Sequence, residues 1–536
     1  MGWNFADVWE VVAERMPDAP AQVHGDRVVS WAEFDRRADG VARAFLDAGL
    51  GAQAKVAQYL YNGPEYLESL FAAFKAGLVP VNTNYRYGDD ELVYLWDNAD
   101  VEAVVFHGSF TERIESIRHQ LPDVDLWLWV DDATGPCPVW AQDYETAATG
   151  ADTRTVAGWG RSPEDLYLLY TGGTTGSPKG VMWRQHDLFT ALNGAAAVSY
   201  EGEGDLDAVR AALQGPGPVH LPACPLMHGT AAFSSFAAMN SGGSIVTLTR
   251  RSFDVVELLD TVHRERVNTM AIVGDAFAKP MLRHLDAEPD RWDVTSLVFI
   301  LSSGVMWSEE TKQGLLRHHP KMLLVDQFSS SEALGMGSSV STADGASATA
   351  RFALGRNARV IDHRGRDVEP GSDQVGRVAV GGLQPVGYYK DPAKTAETFV
   401  ELDGQRYSIP GDYAMVEADG TLTLLGRGSM CINTGGEKVY PEEVEEALKT
   451  HACIRDAVAV GVPDERFGEA VTAVVELHDG SGGLDEDDVI AHVKQRLASY
   501  KAPRRLVEVA SIARSPNGKV DYRRLRQLAV DEVATS

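Results

Sequence analysis

The chain has 536 residues and is acidic, with 49 Lys and Arg residues against 77 Asp and Glu residues and a formal net charge of −28. This charge excludes nucleic-acid binding by an overall basic surface and confines any anion site to a local arrangement of donors. With 44% hydrophobic and 24% charged residues, the composition is typical of a globular chain of roughly two to four domains.

We expect neither a signal peptide nor a transmembrane helix from this sequence. No apolar run reaches the roughly 18 residues of a transmembrane helix, and residues 1–20 lack the apolar core of a signal peptide. The four cysteines are Cys137, Cys224, Cys431 and Cys453, and none forms a CxxC pair. We therefore expect a cytoplasmic protein with neither a disulfide framework nor a zinc cluster.

The first part of the chain shows a βαβ rhythm. Lys55–Tyr61 is typical of a strand, and Pro64–Ala76 has apolar residues at helical spacing with Gly77 at the C′ position. Val79–Val81 is predicted to be the next strand. Further predicted elements are strands at Ala103–Phe106, Ser244–Leu248, Met270–Val273, Ser296–Leu301 and Met322–Phe328, and a helix at Val255–Arg264.

The pattern changes towards the C-terminus. Asp373–Gly420 consists of short alternating runs split by Gly, Pro and Asp, which predicts a small β-rich region. After Leu425 the chain is predicted to form a separate small domain, with the boundary near Gly426–Met430. Its predicted elements are helices at Pro441–Lys449 and Leu484–Ser499 and strands at Asp456–Val462 and Glu469–Leu477.

The strongest local motif is the segment Tyr170–Gly180, YTGGTTGSPKG, which follows an apolar strand. Its four glycines let backbone N–H groups converge, and four hydroxyls and one lysine share the same short loop. This combination is typical of a polyphosphate site, whereas a plain flexible loop gives no reason for the hydroxyls and the lysine. It is not a Walker A loop, because Pro178 precedes Lys179 and Gly180 follows it.

Two weaker motifs follow. Gly426–Ser429 leads through Asn433–Gly436 into the proline-started helix at Pro441, which by itself is equally an ordinary turn–helix junction. Ser515–Lys519 is a turn that presents one lysine, which by itself is more often a surface residue. The order and separation of the three motifs are more specific than any one of them.

Together these motifs resemble the adenylate-forming superfamily of acyl-CoA synthetases, luciferases and peptide-synthetase adenylation domains, from about Trp31 to Arg526. The strings Leu169–Gly173, Gly274–Ala276 and Pro385–Lys390 are most similar to actinobacterial synthetases that activate fatty or steroid side-chain acids. The resemblance implies an α/β fold. It comprises a large N-terminal domain of α/β subdomains plus a small β-rich subdomain (1–425), a hinge (426–430) and a small mobile α+β C-terminal domain (431–536).

The same resemblance implies an acid–thiol ligase with two half-reactions. A carboxylate attacks the α-phosphate of Mg²⁺-bound ATP, and the thiol of coenzyme A then displaces AMP from the acyl-adenylate. The expected partners are a small-molecule carboxylic acid, ATP and coenzyme A, with Mg²⁺ as cofactor; a homodimer is compatible with the sequence. Hydrophobic acids of medium chain length or larger, steroid side-chain acids first, are the expected substrates.

The resemblance also assigns roles to individual residues. The expected catalytic residues are Lys519 at the α-phosphate, His228 as the aromatic gate at the carboxylate end of the acyl pocket, and Glu332 as the Mg²⁺ ligand. The expected phosphate-loop residues are Thr171, Gly172, Gly173, Thr174, Thr175, Gly176 and Lys179. The other expected contacts are Ser303, Gly304 and Phe328 around adenine, Ser331 at the α-phosphate, Asp412 at the ribose, Arg427 at the ribose or a phosphate, and Gly435, Gly436 and Lys438 at the pantetheine tunnel.

The sequence departs from the family pattern in places and leaves alternatives open. Ser329 replaces a common glycine, and Ser429 and Met430 stand where the hinge is usually charged. An acyl-AMP ligase that passes its product to a carrier protein is the alternative enzyme, whereas a non-catalytic nucleotide-binding protein conflicts with Lys519. Small residues either leave room for a large acid or serve only backbone packing: Gly229, Ala231, Ala232, Gly335 and Gly337.

Overall fold

Strands and helices alternate through the N-terminal part of the chain. The computed structural model describes residues 2–171, 178–427, 430, 432–434, 437–464, 468–481, 483–497, 499–515 and 520–535. As far as residue 212 the elements are α1 (Phe5–Arg15), β1 (Pro20–His24), β2 (Arg27–Ser30), α2 (Trp31–Asp47), β3 (Lys55–Tyr59), α3 (Pro64–Lys75), β4 (Val79–Asn82), α4 (Asp89–Asn98), β5 (Val101–His107), α5 (Thr111–Ile117), β6 (Leu126–Val130), β7 (Gln142–Asp143), α6 (Tyr144–Ala148), β8 (Leu166–Thr171), β9 (Lys179–Arg184), α7 (Gln185–Asn193) and α8 (Leu206–Ala212).

The middle of the chain passes from alternating elements to consecutive strands. These elements are β10 (Val219–Pro222), α9 (Gly229–Asn240), β11 (Ser244–Thr247), α10 (Val255–Glu265), β12 (Thr269–Ile272), α11 (Asp275–Ala287), β13 (Phe299–Ser302), α12 (Glu309–His318), β14 (Leu323–Ser330), β15 (Ala333–Ser341), β16 (Arg351–Leu354), β17 (Ala358–Ile361), β18 (Gly376–Val380), β19 (Gly387–Tyr388), α13 (Pro392–Thr398), β20 (Phe399–Leu402), β21 (Gln405–Ser408), β22 (Asp412–Val416) and β23 (Thr421–Arg427).

The last part contains both helices and strands. Its elements are β24 (Ile432–Thr434), β25 (Glu437–Val439), α14 (Pro441–Lys449), β26 (Ile454–Asp464), β27 (Gly468–Leu477), α15 (Glu486–Lys494), β28 (Arg505–Glu508) and α16 (Tyr522–Thr535). Within the described ranges, no helix has the length and apolarity needed to cross a membrane.

Three sheets organise the described residues. The first sheet has the order β2-β1-β11-β10-β12-β13-β14-β15-β16-β23-β22-β18-β21-β20, with β17 paired to β18. The second has the order β19-β9-β8-β4-β3-β5-β6-β7, and the third has the order β25-β24-β27-β26, with β28 paired to β27. These α/β layers, followed by antiparallel strands and a small C-terminal sheet, confirm the predicted fold class.

The parallel strands place several chain segments at common edges. In the first sheet β10, β12, β13 and β14 run parallel, and in the second sheet β8, β4 and β3 do so. Loops that leave the carboxyl ends of parallel strands therefore emerge at one edge of each sheet, where ligands of α/β proteins usually bind.

Most predicted elements are confirmed, with shifts at their ends. The helix predicted at Pro64–Ala76 is α3, and Gly77 at its C′ position has a left-handed φ of 64°. The helix predicted at Leu484–Ser499 is shorter in the structure. It begins after Asp485, whose side chain accepts the N–H of Asp488, and it ends at Lys494.

A buried network of charges ties α1, α2 and α3 together. The Lys75 side chain has no exposed surface, and its ammonium lies 3.0 Å from Glu10, 2.7 Å from Asp35 and 2.9 Å from Asp39. Arg161 closes the network with a bidentate contact to Glu10. A buried charge is stable only when such partners replace water.

We predict that Lys75→Met destabilises the fold, because three carboxylates, two of them buried, then lose their shared cation. The free energy of unfolding, measured by chemical denaturation, is expected to fall by about 3–5 kcal/mol. Lys390→Met is the matched control, since the Lys390 side chain is 45% exposed in its ion pair with Asp100. That change is expected to cost less than about 1 kcal/mol, and equal losses in the two variants would contradict the prediction.

Candidate functional site

The glycine-rich loop connects two paired strands. β8 and β9 form an antiparallel hairpin in which Thr171 lies opposite Lys179, so the two ends of the loop are neighbours. The Lys179 ammonium pairs with Asp391, the residue that caps α13, and holds the pKa of that carboxyl below its usual range. The loop residues between the two strands lie outside the described residues: Gly172, Gly173, Thr174, Thr175 and Gly176.

Ser331 and Glu332 form the turn between β14 and β15 at the edge of the first sheet. Both residues are held from the second sheet. The Tyr388 hydroxyl donates to Oε1 of Glu332 at 2.8 Å, and the Trp183 indole N–H donates to the Ser331 carbonyl at 3.0 Å. The Glu332 side chain is buried in this position, so the predicted metal ligand has a defined orientation before any ligand binds.

His228 precedes α9 and is positioned through its neighbour Met227. The buried Asn82 amide donates to the Met227 carbonyl at 2.6 Å and to the Tyr170 carbonyl at 2.9 Å. Its oxygen accepts the Tyr170 N–H at 2.5 Å. One side chain therefore links the strand that enters the glycine-rich loop to the segment that carries His228.

A second asparagine holds the same segment. Asn62 donates to the Cys224 carbonyl at 3.1 Å and accepts the Leu226 N–H at 2.7 Å. The His228 N–H in turn donates to the Pro225 carbonyl, which closes a turn before α9. Every residue from Cys224 to His228 therefore makes a backbone hydrogen bond that holds this segment in place.

The predicted adenine-side residues lie on β13 and β14. Ser303 and Gly304 follow β13, which runs parallel to β14. The Phe328 ring packs 5.5 Å from the Phe352 ring in a buried cluster. Ser329, which replaces a common glycine, accepts the Gly335 N–H at 3.0 Å, so its hydroxyl stabilises the hairpin.

The ribose-side residues are neighbours, whereas several expected site residues fall outside the described part of the chain. Asp412 begins β22, is 6% exposed and lies opposite Arg427 of β23 in register. The backbone of Lys438 belongs to β25, opposite Asn433. The expected site residues outside the described ranges are Lys519, Ser429, Gly435 and Gly436.

The sequence analysis missed the residues that hold this site together. Asn82 directly follows a predicted strand, which is a position typical of site residues in α/β sheets. Trp183 lies on β9, the strand that leaves the glycine-rich loop. Tyr388 lies in the string Pro385–Lys390 that supported the family resemblance. Their hydrogen bonds give these strings a physical role that a pattern of residue types does not contain.

Asp326 is a further residue that the sequence analysis missed. It interrupts the apolar strand β14, lies opposite Ser302 of β13 and is 5% exposed. Burial raises the pKa of Asp326 to about 7, although Lys312 opposes this shift. Aspartate is rare in buried strands. Its presence in a strand predicted to be buried is the sequence signal that could have identified Asp326.

The small residues near the site serve packing. Ala231 and Ala232 are buried in the main core cluster, and a Cβ on Gly229 would lie 3.3 Å from Leu169. A Cβ on Gly337 would lie 3.0 Å from the Ala353 carbonyl. The structure supports close packing for these four residues, whereas a Cβ on Gly335 would meet nothing within 4 Å.

Sequence comparison identifies the family. Residues 9–389 match the AMP-binding enzyme family, and residues 443–519 match the AMP-binding enzyme C-terminal domain. The chain belongs to the AMP-binding enzyme family. A medium/long-chain-fatty-acid–CoA/3-oxocholest-4-en-26-oate–CoA ligase of Mycolicibacterium smegmatis is 39% identical over 98% of this AMP-binding enzyme and 96% of the relative. A 3-oxocholest-4-en-26-oate–CoA ligase of Rhodococcus rhodochrous is also 39% identical, over 98% of this chain and 95% of the relative.

Solved structures share the fold of this AMP-binding enzyme. The anthranilate CoA ligase AuaEII in complex with anthranoyl-AMP has a TM-score of 0.84 and 20% identity, covering 99% of this chain and 98% of its own. ATP-bound MatB from Rhodopseudomonas palustris has a TM-score of 0.80 and 25% identity, covering 99% of this chain and all of its own. The first of these likenesses concerns the fold alone.

We predict that Asp326→Asn stabilises the nucleotide-free enzyme at alkaline pH. The pKa of Asp326 is about 7 in the folded protein against 3.8 for a free aspartate side chain. Between these pH values the unfolded chain loses the proton and the folded chain keeps it, so the folded state loses stability as the pH rises. The variant is expected to gain on the order of 2–4 kcal/mol in unfolding free energy at pH 8, at about 1.4 kcal/mol per pKa unit. The gain should disappear near pH 4, and a gain independent of pH would show that Asp326 is not the titrating group.

Proposed function

We propose that this enzyme is an ATP-dependent acyl-CoA ligase that makes an acyl-adenylate and then an acyl-CoA thioester, with AMP and pyrophosphate as products. The observation that carries the proposal is the 39% identity, over 98% of the chain, to CoA ligases of two actinobacteria. The arrangement of Ser331, Glu332 and the ends of the glycine-rich loop supports it.

The substrate class is part of the proposal. We infer a hydrophobic carboxylic acid of medium chain length or larger, with a steroid side-chain acid first, because the relatives are named for such acids. The segments Met227–Ala238 and Ala333–Ser339 contain no Arg or Lys that could neutralise a second carboxylate. A large apolar acid gains about 25 cal/mol per Å² of buried surface, which favours it over acetate in an apolar site.

The donor set around Glu332 fits magnesium carried by ATP. Within the described residues no group of three or more His, Cys, Asp or Glu side chains is arranged to hold a metal. One carboxylate with phosphate oxygens and water is the usual protein contribution to a Mg²⁺ site. When bound, the ion would offset charge on the phosphate oxygens, and Glu332 would supply the protein ligand.

The remaining steps use residues of this chain as donors. Lys179 and the N–H groups of the glycine-rich loop would hold the β- and γ-phosphates, and Ser331 would donate to the α-phosphate. Asp412 would accept the ribose hydroxyls, and His228 would border the acid. No general base is required, since a carboxylate is already a nucleophile at neutral pH.

We further propose that the enzyme works through the domain division 1–425, 426–430 and 431–536. Lys519 would complete the site for adenylation. Gly435, Gly436 and Lys438 would line the thiol path in the second half-reaction. This division agrees with the separate matches of residues 9–389 and 443–519, although neither match defines the hinge.

The test is a two-product assay with ATP, Mg²⁺, coenzyme A and one acid at a time. We expect AMP and thioester in equal amounts, with kcat/KM higher for octanoate, palmitate or a steroid side-chain acid than for acetate or benzoate. Formation of pyrophosphate and acyl-adenylate without thioester would instead favour the acyl-AMP ligase. A preference for acetate or benzoate would reject the substrate class, and no AMP with any acid would reject the ligase.

We predict that Lys519→Ala impairs one half-reaction selectively. Loss of a positioned charge at the α-phosphate is expected to slow adenylation by about 10²–10³-fold. Thioester formation from supplied acyl-adenylate and coenzyme A should remain close to that of the wild type. Lys494→Ala, at an exposed lysine of α15, is the control. Equal loss in both half-reactions would contradict a role confined to adenylation.

A further inference from the structure

Among the described residues, one phenol from another sheet holds the carboxylate of Glu332. Tyr388 belongs to β19, which pairs with β9 through Gly387 opposite Met182 and Tyr388 opposite Val181. Its hydroxyl donates to Oε1 of Glu332 at 2.8 Å, and both side chains are buried. A hydrogen bond from a neutral donor to a carboxylate is among the stronger ones in proteins, because the acceptor carries charge.

The backbone that carries Tyr388 leaves its ring little freedom. The Tyr388 N–H donates to Oγ1 of Thr395 at 2.9 Å, and a Cβ on Gly387 would lie 2.5 Å from Cγ2 of Thr395. The ring itself packs 5.9 Å from Phe399. The donor is therefore fixed by a strand pair, a helix and a ring contact.

The Tyr388 hydroxyl contacts one oxygen of the Glu332 carboxylate, and no other described residue donates a hydrogen bond to the second oxygen. Among the hydrogen bonds between described residues, only the one from Tyr388 reaches Glu332, and it ends on Oε1. A carboxylate that binds an octahedral ion through one oxygen requires that oxygen in a set place, because Mg²⁺ tolerates little variation in geometry. Without the hydrogen bond from Tyr388, the Glu332 side chain would sample several rotamers.

We propose that Tyr388 is a positioning residue for the cation of bound ATP: its hydroxyl holds Oε1 of Glu332, so that Oε2 stays available to Mg²⁺. The proposal rests on the proposed function, in which Glu332 is the metal ligand. Partners of this kind commonly change metal affinity or activity by about 10–100-fold when removed. Tyr388 therefore acts through Glu332 and does not contact the reacting atoms.

The neighbouring tyrosine supplies a matched control. The Tyr389 hydroxyl donates to Oδ2 of Asp100 at 2.7 Å, an exposed carboxylate far along the chain from the turn at Glu332. Tyr388→Phe and Tyr389→Phe each remove one phenol–carboxylate hydrogen bond and no ring. The comparison therefore tests which of the two carboxylates needs its donor.

The experiment measures cation affinity in two ways. The Mg²⁺ concentration for half-maximal pyrophosphate exchange is determined at saturating ATP and octanoate. In parallel, Mn²⁺ binding to the complex with a non-hydrolysable ATP analogue is titrated by electron paramagnetic resonance. We expect Tyr388→Phe to raise both values by about tenfold and to recover most of its kcat at high Mg²⁺, whereas Tyr389→Phe stays within about twofold of the wild type.

A double-variant cycle separates positioning from a structural effect. If Tyr388 acts through Glu332, adding Tyr388→Phe to Glu332→Gln should leave Mn²⁺ affinity at the value of Glu332→Gln alone. Equal values for the Tyr388 and Tyr389 variants, or additive losses in the double variant, would overturn the proposal. Failure of the wild type to form AMP with any acid would reject the ligase function, while the Mn²⁺ titration would still decide the role of Tyr388.

Discussion

Three side chains of the second sheet reach across to loops at the carboxyl edge of the first sheet. Asn82 donates to the Met227 carbonyl, Trp183 to the Ser331 carbonyl and Tyr388 to the Glu332 carboxylate. The two hydrogen bonds to carbonyls contribute only about 1 kcal/mol each to stability, and the one to the carboxylate about 1.5–3 kcal/mol. Each donor, however, stands on a strand whose ladder fixes its position. The segments that carry the candidate gate, the candidate metal ligand and the glycine-rich loop are thereby all positioned by the second sheet.

Charge places a different constraint on the same site. A chain with a net charge of −28 must accept a polyanion, yet charges beyond about 8 Å are largely screened at physiological ionic strength. In the proposed site, binding would therefore depend on nearby donors, namely backbone N–H groups and Lys179. Lys179 pairs with Asp391, so the positive charge of its ammonium is already partly neutralised. The site is therefore less strongly cationic than one unpaired lysine would make it.

Buried charges have opposite consequences in two places. Around Lys75 every carboxylate has a cation within 3.0 Å, so the network serves the packing of α1 on α2 and α3. Asp326 lies in a strand beside Ser302 with a pKa raised by burial, so its ionised form costs stability. Residues that break the local rules of a fold in this way concentrate at functional sites, where stability is lost in exchange for chemistry.

The sequence by itself determined the α/β class, the helix α3 with Gly77 at its C′ position, the family and the glycine-rich loop. These depend on short-range periodicity and on residue types in fixed order. Only the tertiary structure decided which side chains meet. Tyr388 lies 56 residues from Glu332, and Asn82 lies 145 residues from Met227. It also assigned Ala231 and Ala232 to the core. Such contacts depend on the order of strands in two sheets and on where their edges meet, and periodicity along a chain reports only local neighbours.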